Sequence, residues 1–197
     1  MTDLSAPAHG SETATAWVRR FSPLIAAGGQ VLDLACGTGR HARFLSALGH
    51  PVVLVDRSAE ALAEAAAGLS GPSEVHVADL ESGPWPFSGR QFAGLVITNY
   101  LWRPLFPAIL TSLQAGGVLI YETFADGNET VGRPSRPDFL LRPGELLDVC
   151  RGLRVIAFED GYEFAQGAKG ERFVQRIAAV SPIESRPGQP PARYPIA

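Results

Sequence analysis

The sequence predicts a doubly wound α/β fold: a mostly parallel seven-stranded sheet closed by an antiparallel C-terminal hairpin. Three observations lead there. The stretch VLDLACGTGRHARFL (31–45) reads as strand, glycine turn and helix. The apolar run VVLVD that follows ends in an acid, Asp56. Strand-like and helix-like segments then alternate to residue 124, and two strand-like runs, 153–160 and 172–180, flank a turn containing Gly161, Gly167 and Gly170. Alternation of this kind implies right-handed crossovers and parallel strands, whereas two runs joined by a turn pair antiparallel.

Taken in order, residues 11–27 place Trp17, Phe21, Leu24 and Ile25 at helical spacing, with Ser11 as the candidate cap and Pro23 expected to bend or split the segment. After the first strand and its glycine turn, His41 to Leu48 continues as a helix that Gly49 ends, and PVVLVD forms the second strand. Ser58 is placed to cap an alanine-rich helix reaching Ala67. VHVADL (75–80) alternates as a third short strand and ends in Asp79; FAGLVITN (92–99) is the fourth, PLFPAILTSL a helix, and VLIYETF (118–124) the fifth. The segment 125–145 is too long and too rich in glycine and proline for a plain connector. The last residues, 181–197, hold five prolines and are expected to be a flexible tail behind a single domain of residues 1–180.

Composition removes several functions. A net charge of −3 without a dense basic run argues against nucleic acid as partner. No apolar stretch reaches the roughly 20 residues that span a bilayer, and the first residues lack a signal core, so a cytoplasmic protein without membrane contact is expected. Cys36 and Cys150 form no C-x-x-C pair, so neither a metal site nor a disulfide framework is expected. Lys169 is the only lysine, and Arg40 and His41 stand where a phosphate-binding loop needs one. Nucleotide hydrolysis and Schiff-base chemistry lose support together.

The positive signal is a set of three carboxylates, Asp33, Asp56 and Asp79, at three successive strand ends. In a parallel sheet these ends share one rim, where open α/β folds bind ligands. Gly37, Gly39 and Ala42 also satisfy the G-x-G-x-x-G/A pattern of dinucleotide sites, but Asp33, four residues before Gly37, would repel a pyrophosphate and attract a ligand bearing an ammonium and a sulfonium. S-adenosylmethionine is such a ligand: Asp33 would face its amino acid part, Asp56 its ribose hydroxyls and Asp79 its adenine amino group.

With LDLACGTG as a first motif, VDRS as the second-strand acid, ADL on the adenine side and LQAGGVLIYE before the fifth strand, the chain resembles the class I S-adenosylmethionine-dependent methyltransferases over roughly residues 11–180. The continuation GRHARFL is most similar to small bacterial methyltransferases of the tellurite-resistance type. The resemblance implies a Rossmann-like fold, S-adenosylmethionine as cofactor and a small-molecule methyl acceptor. It also implies cofactor contacts from Asp33, Ala35, Cys36, Gly37, Gly39, Asp56, Arg57, Asp79, Leu80 and Asn99. Ala35 stands where the family often has its first glycine, which is tolerable if its φ is negative. Gly39 is expected to leave room for the cofactor.

Methyl transfer from a sulfonium is an in-line displacement that positioning and desolvation can promote without a base. Tyr100, Tyr121, Glu122, Glu129 and His41 are the candidates near the reacting end, each with an ordinary packing or loop role as the alternative. Asn99 is followed by Tyr-Leu-Trp and meets no proline before Pro104, which removes support for DNA-base methylation. Arg133, Arg136 and Arg142 either favour an anionic acceptor, if their loop folds over it, or are solvated loop charge. Two other functions stay open at this level: an NAD(P)-dependent oxidoreductase, and a methyltransferase-like binding protein without activity.

Overall fold

The structure, a computed structural model, describes residues 13–164, 170–183 and 192–196. Helix α1 (Ala16–Phe21) is capped by Thr15, whose Oγ1 accepts from Val18 N at 3.3 Å, and not by Ser11, which lies outside the described residues. Pro23 splits the segment as expected: α1 ends at Phe21 and a single 3₁₀ turn covers Ser22–Leu24. Strand β1 (Val31–Leu34) leads through the glycine turn into α2 (Arg40–Ala47), and Gly49, at φ +88°, turns the chain out of that helix. Strand β2 (Val52–Asp56) is followed by α3 (Ala59–Ala67), which Ser58 caps through its Oγ to Ala61 N at 3.1 Å.

Strand β3 (Ser73–Val77) is shorter than expected and stops before Asp79. It is a sheet edge, and Val75 and Val77 face solvent while His76 turns inward against the Phe87 ring, 4.9 Å away. Strand β4 (Phe92–Thr98) precedes a 3₁₀ turn at Arg103–Leu105 and α4 (Phe106–Thr111). Strand β5 (Leu113–Phe124) begins before the expected Val118, and its register against β4 shifts where Gly116 adopts φ +75°. A short helix that the sequence reading did not contain, α5 (Glu145–Val149), comes before β6 (Arg154–Phe164) and β7 (Glu171–Val180). Gly161 belongs to β6, opposite Val174; Gly167 and Lys169 lie outside the described residues.

The sheet order is β3-β2-β1-β4-β5-β7-β6. The first five strands are parallel and β7 runs antiparallel to both β5 and β6. Successive residues point to opposite faces, so Val31, Val52, Leu54, Val96 and Ile120 pack under α1, α2 and α3, while Leu32, Val53, Leu95, Ile97 and Leu119 meet Phe87, Phe92 and Leu146. Covering on both faces explains why these strands are nearly continuous apolar runs. Of the expected tail, residues 192–196 lie against the body: Arg20 Nη2 donates to Ile196 O at 2.8 Å and the Arg154 guanidinium sits 5.2 Å from the Tyr194 ring centre. Residues 184–191 and 197 are outside the described set. Among the described residues no helix is long and apolar enough to cross a membrane.

Candidate active site

The C-terminal ends of β3, β2, β1, β4 and β5 stand in a row, and a cavity of about 650 Å³ runs along them. Five neighbouring strands span roughly 19 Å. Asp79, Leu80 and Glu81 line one end with Asp56 and Arg57; Ala35 and Asn99 to Leu101 line the middle. Thr123, Phe124, Arg133, Pro134 and Phe139 line the other end.

The turn between β1 and α2 is held from β2. Asp56 Oδ2 accepts from Gly37 N and Oδ1 from Ser58 N, both at 2.9 Å, and Cys36 N donates to Val55 O at 3.1 Å. Ala35 and Gly37 adopt φ +53° and +54°, so the expectation of a negative φ at Ala35 is corrected. The left-handed region costs an alanine roughly 1–2 kcal/mol, a strain that the surrounding turn sustains. Gly39, at φ +76°, is required for a different reason from the expected one: a Cβ there would stand 2.5 Å from the Ala65 Cβ, so the glycine lets α3 approach the turn. In front of Gly37, by contrast, a Cβ would meet nothing within 4 Å.

Asp33 does not share the rim with the other two acids. It is fully buried on the α2 side, where its Oδ2 accepts from Ala42 N at 3.0 Å. Burial pushes its carboxyl up to about 7, against the lowering effects of that hydrogen bond and of Arg40. Asp79 lies exposed at the cavity; its carboxylate caps its own turn, accepting from Ser82 Oγ at 2.6 Å and Glu81 N at 3.0 Å, which lowers its pKa.

Of the candidates for the reacting end, only Tyr100 lines the cavity. Its hydroxyl is buried and has no partner among the described residues, and burial pushes its pKa up. Tyr121 is buried beneath it and donates its hydroxyl to Tyr100 O at 2.8 Å, so it positions the neighbouring backbone. Glu122 is buried in an ion pair with Arg176, Oε2 to Nε 2.6 Å, and its Oε1 has no partner among the described residues. Glu129 Oε2 accepts from Gly127 N at 2.9 Å in its own loop. His41 is buried between Thr98 Oγ1, 3.3 Å from Nδ1, and Thr15 N, which donates to Nε2 at 3.4 Å. Burial, with Arg40 adding to it, lowers His41 to about 3, and the ring joins α1 to β4 outside the cavity lining.

Sequence reasoning pointed to the loop that forms the far wall but missed the brace behind it. Arg103 reaches across 42 residues to Glu145, with Nε–Oε1 at 2.7 Å and Nη2–Oε2 at 2.9 Å, and donates to Asp138 O and Leu140 O at 2.8 and 2.7 Å. Burial alone would raise the Glu145 pKa, but hydrogen bonds from Arg103 and from Arg142 outweigh it and hold the group at about 2. This brace seats Phe139 at the cavity. Asn99, at φ +54°, was foreseen, but Glu81, Leu101 and Phe139 carry no motif that could have marked them.

Residues 31–117 match the family model of the methyltransferase domain. Among solved structures, TehB from Haemophilus influenzae superposes with a TM-score of 0.65 at 18% identity over 81% of this chain, which spans 60% of the length of that one. The N-methyltransferase NodS from Bradyrhizobium japonicum WM9 gives 0.64 at 14% identity over 84% of this chain and 94% of its own. A TehB-like S-adenosylmethionine-dependent methyltransferase from Corynebacterium glutamicum gives 0.57 at 20% identity over 85% and 87%. No curated protein matches the chain in sequence. The fold is that of the class I S-adenosylmethionine-dependent methyltransferases, TehB among them. The stretch that matches the methyltransferase domain is a little under half of the chain, and the cofactor that goes with such a domain is S-adenosylmethionine.

Proposed function

We propose that this chain transfers the methyl group of S-adenosylmethionine to a small-molecule acceptor seated between the ends of β4 and β5 and the loop 125–142. The observation that carries the reading is the length of the cavity, which continues past the Asp56 and Asp79 end to a separate wall of Phe124, Pro134 and Phe139.

The residues present fit the cofactor. Asp56 spends one acceptor position of each oxygen on the turn, and a carboxylate offers about four, so two remain for ribose hydroxyls. Asp79 would accept from the adenine amino group beside Leu80 and Arg57, and the open space before Gly37 leaves room for the ligand. Ala35 and Asn99 would border the methionine part. Asp33, Cys36 and Gly39 would act through the turn they hold rather than by contact. When bound, S-adenosylmethionine supplies an electrophilic methyl group on a sulfonium. The chain's own part is to orient the acceptor and exclude water. Two buried free cysteines accord with action in the cytoplasm.

Incubation with S-adenosylmethionine labelled in its methyl group and a metabolite extract tests the proposal. Label is expected in the small-molecule fraction. Label confined to protein or nucleic acid would contradict the acceptor class, and cofactor binding without any transfer would favour a binding protein.

A further inference from the structure

Resting on that reading of the cavity, we propose that the acceptor is an organic carboxylate with an apolar, ring-sized body, and that Arg133 holds its carboxylate. The loop carries three arginines, and two of them are engaged with carboxylates away from the cavity lining. Arg136 pairs with Asp138 at 2.8 Å and lies 5.2 Å from the Phe139 ring centre. Arg142 engages Glu145 at 3.2 Å. Arg133 is the one that lines the cavity, and it makes no hydrogen bond or ion pair with any described residue.

Its position is built rather than incidental. The next residue, Pro134, also lines the cavity, and its carbonyl accepts from the buried Asn128 Nδ2 at 2.9 Å. Asn128 Oδ1 in turn accepts from Phe173 N at 3.2 Å, which ties the turn to β7. The backbone that presents Arg133 is thus anchored to the sheet.

Charge and shape divide the cavity. Its carboxylates, Asp56, Asp79 and Glu81, all belong to the β2 and β3 end. An anion there would face three carboxylates against the single guanidinium of Arg57; at the β5 end it would face a guanidinium with no carboxylate beside it, able to bind with two parallel hydrogen bonds. Beside Arg133 the wall is mostly apolar, from Phe124, Pro134 and Phe139 with Thr123, and Leu101 continues it toward the middle. A bare inorganic oxyanion would leave that wall against water, whereas an apolar body would cover it.

Calorimetry with S-adenosylhomocysteine saturating tests this with three probes: 4-phenylbutanoate, its primary amide, and sulfate. The acid is expected to bind about tenfold tighter than the amide, the discrimination of a charge-assisted hydrogen bond. The preference should persist in Arg136→Gln and fall below about twofold in Arg133→Gln. Equal affinities for acid and amide, failure of both to bind, persistence of the preference in Arg133→Gln, or displacement of the acid by equimolar sulfate would each overturn the proposal. Loss of S-adenosylhomocysteine binding in Arg133→Gln would do so too, by placing that side chain on the cofactor. Absence of S-adenosylhomocysteine binding to the unsubstituted protein would instead overturn the methyl-transfer reading beneath it.

Discussion

At the scale of single residues, the turn after β1 shows how strain and burial are placed beside a ligand cavity. Ala35 holds φ +53° where glycine would be unstrained. Ala35→Gly removes roughly 1–2 kcal/mol of strain and adds somewhat less unfolded-state entropy. A net gain of about 0.5–1 kcal/mol, or a melting temperature higher by about 1–4 °C, is expected by calorimetry; a lower value would mean that the alanine methyl contributes packing the strain does not outweigh. Asp33 gives a pH signature. Its folded pKa of about 7 lies above the 3.8 of an ordinary aspartate, so the folded state binds the extra proton between them and stability falls as pH rises through that window. Asp33→Asn keeps an acceptor for Ala42 N and removes the titration. The melting temperature of the variant relative to the unsubstituted apoprotein should therefore climb from pH 4 to pH 7, and a constant difference would show that the carboxyl titrates at its ordinary value.

At the scale of elements, Gly39 connects the turn to α3. A Cβ at this position meets Ala65 at 2.5 Å under a positive φ, so Gly39→Ala should cost about 2–4 kcal/mol, from overpacking plus left-handed strain. Adding Ala65→Gly should return the steric part alone, read from denaturant midpoints; no recovery would mean that the backbone angle decides everything. Gly39 was legible as a required glycine, but not the reason for it, because Ala65 is 26 positions away in sequence. Strand, turn and helix at 31–47 and the acid closing β2 were legible because continuous apolar runs, glycines and caps act locally. The faces of β3 were not: alternation shows that two faces differ, and at a sheet edge it does not say which one is covered, so Val75 and Val77 point outward. Helix α5 spans only Glu145–Val149, too few residues for a period to show. The Arg103–Glu145 brace joins positions that no local pattern relates.

At the scale of the molecule, the order β3-β2-β1-β4-β5 converts sequence position into place along one cavity: acids first, the strained turn and Tyr100 in the middle, the arginine-bearing loop last. The reversed β7 completes the sheet beyond it and, through Phe173, anchors the loop. Everything proposed for the site depends on the cofactor lying against Asp56. Titration calorimetry with S-adenosylhomocysteine and, separately, NAD, on the unsubstituted protein and on Asp56→Ala, addresses this directly. S-adenosylhomocysteine should bind and NAD should not; Asp56→Ala should weaken the first by about 1.5–3 kcal/mol, the loss of hydrogen bonds to a charged group, and lower the melting temperature because Gly37 N and Ser58 N lose their acceptor. NAD binding without S-adenosylhomocysteine binding, or an affinity for S-adenosylhomocysteine unchanged by Asp56→Ala, would contradict the placement of the cofactor on this rim.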